Sequence, residues 1–127
     1  MIVVDASAVI SGLLNDGPAR RALSTEHLHA PHLIDAEVAN GMRRLVAQGS
    51  VTNEDGWAAL DILRTLGISR HPVVSFLDRI WELRHNLSAN DASYVSLAES
   101  LDCGLLTADA RIGAAPTLRC AVTVIPR

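Results

Sequence analysis

The sequence predicts an α/β domain in three layers, with a mainly parallel central sheet flanked by helices. Two observations carry the prediction. Ile2-Val3-Val4 and Leu105-Leu106 are short unbroken apolar runs, the pattern of strands buried on both faces. Between them apolar residues recur at helical spacing, so strand and helix alternate along the chain. A third observation bears on chemistry: Asp5 and Asp109 follow the two runs, placing carboxylates at strand carboxyl ends, where ligands gather in parallel α/β sheets.

The elements follow in order. Ile2 to Val4 is the first strand and Asp5 ends it; Ala6 to Leu14 reads as a helix, with Ser7 near enough to set a hydroxyl beside Asp5 or simply to serve the helix start. Asn15-Asp16-Gly17-Pro18 breaks the chain, and Pro18 opens a short helix to about Thr25. A connection ending at Pro31 leads to a helix over Leu33–Gln48, whose apolar stripe is Ile34, Val38, Gly41, Met42 and Leu45. Glu37 falls inside that stripe, so it must be paired, protonated or bound to a metal. Gly49 closes the helix; Asn53 begins another, running to Gly67 with Trp57, Leu60, Ile62, Leu63 and Leu66 as a broad packing face. A short strand is expected over Ile68–Arg70. Ser75 and Asp78 have capping-box spacing for a helix ending near Asn86 that buries Phe76, Leu77, Ile80 and Leu83. From Tyr94 the spacing through Leu97, Ala98 and Leu101 is again helical and puts Asp91 in a first turn, where the helix dipole favours an anion. The strand after Gly104 delivers Thr107 and Asp109 on one side; a turn of helix and a last strand over Ala121–Ile125 complete the chain.

Composition narrows the function. A chain of 127 residues holds one core and is read as a single domain over 1–127, built from aliphatic residues because aromatics are only 3%. No apolar run reaches the length of a membrane span, and the first five residues lack the character of a secretory signal, so a cytoplasmic protein is expected. Cys103 and Cys120 share no ligand spacing with the histidines and read as reduced packing residues. His27, His29 and His32 read as a solvated connection, which leaves no case for zinc. All 11 basic residues are arginine; the absence of lysine excludes a Walker phosphate loop and Schiff-base chemistry. A net charge of −3 argues against broad nucleic-acid affinity, yet a divalent metal and a few local arginines would suffice to hold one phosphate.

Asp5, Glu37, Asp91 and Asp109 could line one pocket. At about 4 Å and an effective dielectric of about 20, each like-charge pair costs roughly 4 kcal/mol, so such a cluster needs cations or protons. Hard oxygen ligands point to Mg²⁺ or Mn²⁺.

Four stretches in this order resemble the PIN-domain ribonucleases, and within them the VapC toxins of bacterial toxin-antitoxin systems. They are Ile-Val-Val-Asp-Ala-Ser at the start, Ala-Pro-His-Leu-Ile-Asp-Ala-Glu-Val-Ala-Asn followed by Arg43 and Arg44, Asn-Asp-Ala-Ser-Tyr-Val-Ser-Leu-Ala-Glu, and Leu-Leu-Thr-Ala-Asp-Ala-Arg-Ile. The resemblance implies a PIN-like fold and Mg²⁺- or Mn²⁺-dependent endonucleolytic hydrolysis of RNA. It implies Asp5, Glu37, Asp91 and Asp109 as the metal-binding acids, with Ser7, Asn40 and Thr107 supporting them. Asn90 stands where the family often has an aromatic residue. The resemblance further implies a homodimer and a small VapB-like antitoxin whose C-terminal segment crosses the active site over the apolar surface of Leu33–Leu66. Arg43, Arg44 and Arg111 are candidates for contact with RNA or with that acidic partner. The alternatives are a PIN scaffold that binds RNA or protein without cutting, and a phosphoacceptor domain; the latter would want adjacent acids after the first strand and a late lysine, and has neither here.

Overall fold

The computed structural model describes residues 1–126. Five strands, β1 (Ile2–Val4), β2 (Leu28–Pro31), β3 (Ser69–His71), β4 (Gly104–Thr107) and β5 (Val122–Val124), form one sheet in the order β3-β2-β1-β4-β5. Every neighbouring pair is parallel. The chain steps from β1 outward to β3, then returns to the other side of β1 for β4 and β5. Right-handed crossovers therefore put α1 (Ala6–Leu14), α2 (Pro18–Thr25), α3 (Ile34–Ala47) and α4 (Asn53–Leu63) on one face. They put α5 (Leu77–Glu82), α6 (Ala89–Leu101) and α7 (Ala110–Ala114) on the other. The direction reverses between β1 and β4, the switch point beyond whose carboxyl ends ligands gather in parallel α/β sheets.

The core confirms the aliphatic reading: Val3, Val4, Val9, Val38, Val95 and Leu105 are wholly enclosed. Helix α6 lies across β1, β2 and β4, and its residues from Ala92 to Ala98 are all buried. Ser88 caps it by accepting the Asp91 N–H. The predicted bounds of β1, α1 and α2 agree with those observed. Gly49 takes φ of 78° just beyond α3, the left-handed turn that favours glycine there.

Three expectations need correction. The connection before Pro31 contains a strand, β2, in which all four residues are buried, and His29 is only 7% exposed instead of solvated. His29 Nδ1 meets His71 Nε2 at 2.9 Å and its ring lies 4.4 Å from that of His27. Burial, with the neighbouring His27 and His71, lowers its pKa and keeps it neutral. Leu-His-Ala-Pro carries no β-branched signal, and sheet pairing on both sides overrides that weak propensity.

Second, Trp57 and Ile62 do not pack inward; they are 60% and 49% exposed. Helix α4 approaches α3 through Gly56, Ala59 and Leu63. A Cβ at Gly56 would come within 2.8 Å of Val46 Cγ2, so the contact is set by small residues rather than by the bulky ones. Third, Ser75 caps no helix. It lies in a 3₁₀ turn, Val74–Phe76, ahead of α5, and Leu77 is exposed. The helix ends at Glu82, with Phe76 and Ile80 partly covered and Leu83 fully so.

Candidate active site

Asp5 is the fixed point of the site. It ends β1 and caps α1: its Oδ1 accepts the Ala8 N–H at 2.9 Å and the Ser7 hydroxyl at 2.7 Å, while Oδ2 accepts the Thr107 hydroxyl. The same groups stitch β1 to β4, since Ser7 Oγ accepts the Ala108 N–H at 2.8 Å and Thr107 Oγ1 accepts the Asp109 N–H at 3.0 Å. Ser7 and Thr107 thus both donate to Asp5 directly. Asp5 is only 5% exposed. Burial raises its pKa, the hydroxyls and the Ala8 amide oppose the rise, and the charge of Asp91 adds to it.

Asp91 projects from the first turn of α6 and is half-buried. Burial raises its pKa as well; Ser88 opposes, the charge of Asp109 raises it further and Arg111 pulls it back. Asp109 caps α7, receiving the Arg111 backbone N–H at 3.0 Å and gripping its guanidinium through Nε at 3.1 Å and Nη2 at 2.6 Å. Glu37 reaches in from α3. The Tyr94 hydroxyl donates to its Oε1 and Asn90 Nδ2 donates to Oε2 at 3.2 Å. Burial and the Glu37 acceptor push the Tyr94 phenol far up, with Asp5 and Asp91 adding to the effect, so it remains a donor.

The charge of Asp91 acts on Asp5 and that of Asp109 on Asp91, while Tyr94 is influenced by Glu37, Asp5 and Asp91, so the four acids are neighbours at the carboxyl end of the sheet. Among the described residues no three Asp, Glu, His or Cys side chains form a ready ligand group. The all-oxygen donor set and the burial that disfavours the charged forms of Asp5 and Asp91 nevertheless fit a hard divalent cation.

The remaining residues lie outward. Asn40 does not touch the acids; its Oδ1 accepts Nε and Nη2 of Arg43 on the exposed side of α3. Arg44 is exposed and lines a groove of about 830 Å³ between α1 and α3, together with Ile10, Leu14, Leu33, Glu37 and Leu45. Glu37 is the acid of the four that lines this groove, whose apolar lining comes from α1 as much as from α3; α4 contributes no lining residue. The partner of Glu37 was missed in the sequence, where Tyr94 reads as part of an apolar stripe. The signal was its phenol: a buried tyrosine hydroxyl needs a partner.

The PIN domain profile matches residues 2–117. The chain is 53% identical to Ribonuclease VapC9 of Mycobacterium tuberculosis over 127 residues, covering 100% of both chains. Among solved structures it is similar to PAE2754 of Pyrobaculum aerophilum, at a TM-score of 0.73 and 25% identity, covering 95% of this chain and 81% of that one. The fold also matches VapBC2 of Rickettsia felis, solved bound to a fragment of its promoter DNA, at a TM-score of 0.69 and 14% identity, covering 98% of this chain and 99% of that one. A site at the switch point of a parallel sheet, a profile spanning nearly the whole chain and a relative matched end to end agree: the chain belongs to the PIN-domain family and, within it, to the VapC ribonucleases.

Proposed function

We propose that this chain is an endoribonuclease, the toxin of a VapBC-type pair, that hydrolyses phosphodiester bonds in cellular RNA using Mg²⁺ or Mn²⁺ held by Asp5, Asp91 and Asp109 with Glu37. The observation that supports this reading is the set Asp5, Asp91 and Asp109 beyond the ends of β1 and β4: burial raises Asp5 and Asp91, with the charge of Asp91 adding to the rise at Asp5 and that of Asp109 to the rise at Asp91. Charge stored in this way favours a cation or a proton over a vacant pocket.

When bound, the divalent ion supplies Lewis acidity, which acidifies water and offsets charge developing on the phosphoryl group. The protein supplies the rest. Ser7, Ala8 and Thr107 lock both oxygens of Asp5, so that carboxylate keeps one orientation throughout the reaction. Asp91 and Asp109 approach from α6 and β4, and Arg111, exposed at the rim, is placed to meet a phosphate. The groove between α1 and α3 is suited to the C-terminal segment of a VapB-like antitoxin, which would cover Glu37 and the acids behind it; a homodimer and a cytoplasmic location complete the proposal. No helix among the described residues is long and apolar enough to cross a membrane.

The test is cleavage of a pool of structured cellular RNAs by the antitoxin-free chain, with Mg²⁺ or Mn²⁺ and with chelator, beside Asp91→Asn. Discrete products that need metal and vanish in the variant support the reading. A folded chain that binds Mn²⁺ yet cuts nothing in the pool favours the non-cleaving scaffold.

A further inference from the structure

We infer that Tyr94, assisted by Asn90, is a positioning residue that holds Glu37 in place and thereby sets the affinity of the site for its divalent ion, an inference that rests on the metal-site reading above. Helix α6 carries Asp91 and, one turn on, Tyr94, so both project from one face of the same rod. Tyr94 is 1% exposed, and its ring is fixed within the core. Its hydroxyl is spent on Glu37 Oε1, and Asn90 engages Oε2. The helix that presents one acid therefore also grips another that arrives from α3, on the far face of the sheet.

The arrangement has a consequence for binding. An ionised carboxylate has about four acceptor positions, and the two donors from α6 occupy two, leaving the others for an ion or the water around it. Without the grip, Glu37, which lines the groove between α1 and α3, is free to turn toward water. Groups that orient a ligand in this way commonly alter metal affinity by roughly 10- to 100-fold.

The test compares the wild type, Tyr94→Phe, Asn90→Ala, Glu37→Gln and Glu37→Gln with Tyr94→Phe, reading Mn²⁺ binding by calorimetry on the whole chain, with thermal midpoints alongside. Tyr94→Phe keeps the ring and removes one hydroxyl, and is expected to weaken Mn²⁺ binding about tenfold. Asn90→Ala, at an exposed position, is expected to give a smaller loss in the same direction. In the Glu37→Gln background the tyrosine substitution is expected to cost nothing more, the sign of two residues acting as a unit. Wild-type affinity in Tyr94→Phe overturns the inference and leaves the metal site standing, as does an equal loss with and without Glu37. If Tyr94→Phe does not fold, unchanged binding by Asn90→Ala overturns it. A wild type that binds no Mn²⁺ overturns the metal-site reading and this inference with it.

Discussion

Helix α6 carries an acid at each end, and the two are treated oppositely. Asp91, in the first turn, has a serine beside it and two further carboxylates within reach, and its pKa is raised. Glu99, in the last turn, faces the unfavourable end of the helix dipole, yet its pKa is lowered. Burial works against Glu99 as it does against Asp91; the difference is Arg79, whose Nε and Nη2 donate to its two oxygens at 2.7 and 3.1 Å, with the Arg119 N–H adding a third bond at 2.7 Å. Arg79 also ties down Glu82 and the Thr117 carbonyl. One end of the helix is a closed ion-pair network that fastens α5 and the approach to β5 onto α6. The other is a set of carboxylates held in place by hydroxyls and amides, with Arg111 at its rim. Glu99 receives a largely buried cation from the protein, whereas Asp5 is held by hydroxyls and a backbone amide.

The largest effect should come from exchanging charge for an amide at each end. Asp5→Asn is expected to lower metal-dependent RNA cleavage by more than about 100-fold, beyond what groups that merely orient a ligand cost. It should leave the metal-free thermal midpoint equal or higher, since it removes a buried charge repelled by Asp91. Glu99→Gln should do the reverse. It leaves Arg79 enclosed and poorly matched, at 15% side-chain exposure, and is expected to cost about 2–3 kcal/mol in urea unfolding with cleavage retained. Loss of cleavage in Glu99→Gln, or a marked loss of stability in Asp5→Asn, would erase the distinction between the two ends.

Acidity sharpens the same comparison at a smaller amplitude. For Glu99 the folded value lies below its ordinary 4.5, so its stabilisation is present above that pH and disappears as pH falls through the lower folded value. For Asp5 and Asp91 the folded values lie above their ordinary 3.8, so the folded form is favoured while they are protonated and loses that advantage as pH rises through the raised values. In chelator, the stability difference between Asp5→Asn and the wild type should therefore grow with pH, while the deficit of Glu99→Gln should shrink only toward strong acid. Mn²⁺ should raise the wild-type midpoint most near neutrality and least in acid, where protons compete. Parallel pH profiles for the two variants would count against the contrast.

Most of the frame was legible because strand ends announce themselves. Ile2-Val3-Val4 stops at Asp5 and Leu105-Leu106 leads to Thr107 and Asp109, so two acids could be assigned to one edge before any pairing was known. Glu37 stood out as an acid on an apolar stripe, and it indeed accepts a bond from a core tyrosine. What the sequence hid was whatever depended on a neighbour far along the chain. Strand β2 exists because β1 and β3 flank it, not because Leu-His-Ala-Pro prefers extension. Trp57 is displaced outward because Gly56 and Ala59 let α4 come close, and its ring instead meets Arg64, 5.5 Å from its centroid. Asn40 shares a helix with Glu37, yet Arg43 three residues on takes its oxygen away from the acids. Periodicity gives a side chain its face; only tertiary contact gives it a partner.

Arg111 is the smallest and most discriminating case: its guanidinium is bonded to a site acid. Its bidentate grip on Asp109 looks as strong as that of Arg79 on Glu99, yet its side chain is 85% exposed, so water screens the pair and the fold gains little from it. Arg111→Ala should leave the thermal midpoint unchanged. In metal-free protein it removes a competitor for Asp109, so Mn²⁺ should bind slightly tighter; on RNA it removes a cation from the rim, so KM should rise a few-fold and depend less steeply on salt. Opposite movements of metal affinity and RNA affinity in one variant are what an arginine alternating between an acid and a phosphate requires. If the midpoint falls as it does for Glu99→Gln, Arg111 belongs with Arg79 as a structural cation, and the two ends of α6 are less different than their charges suggest.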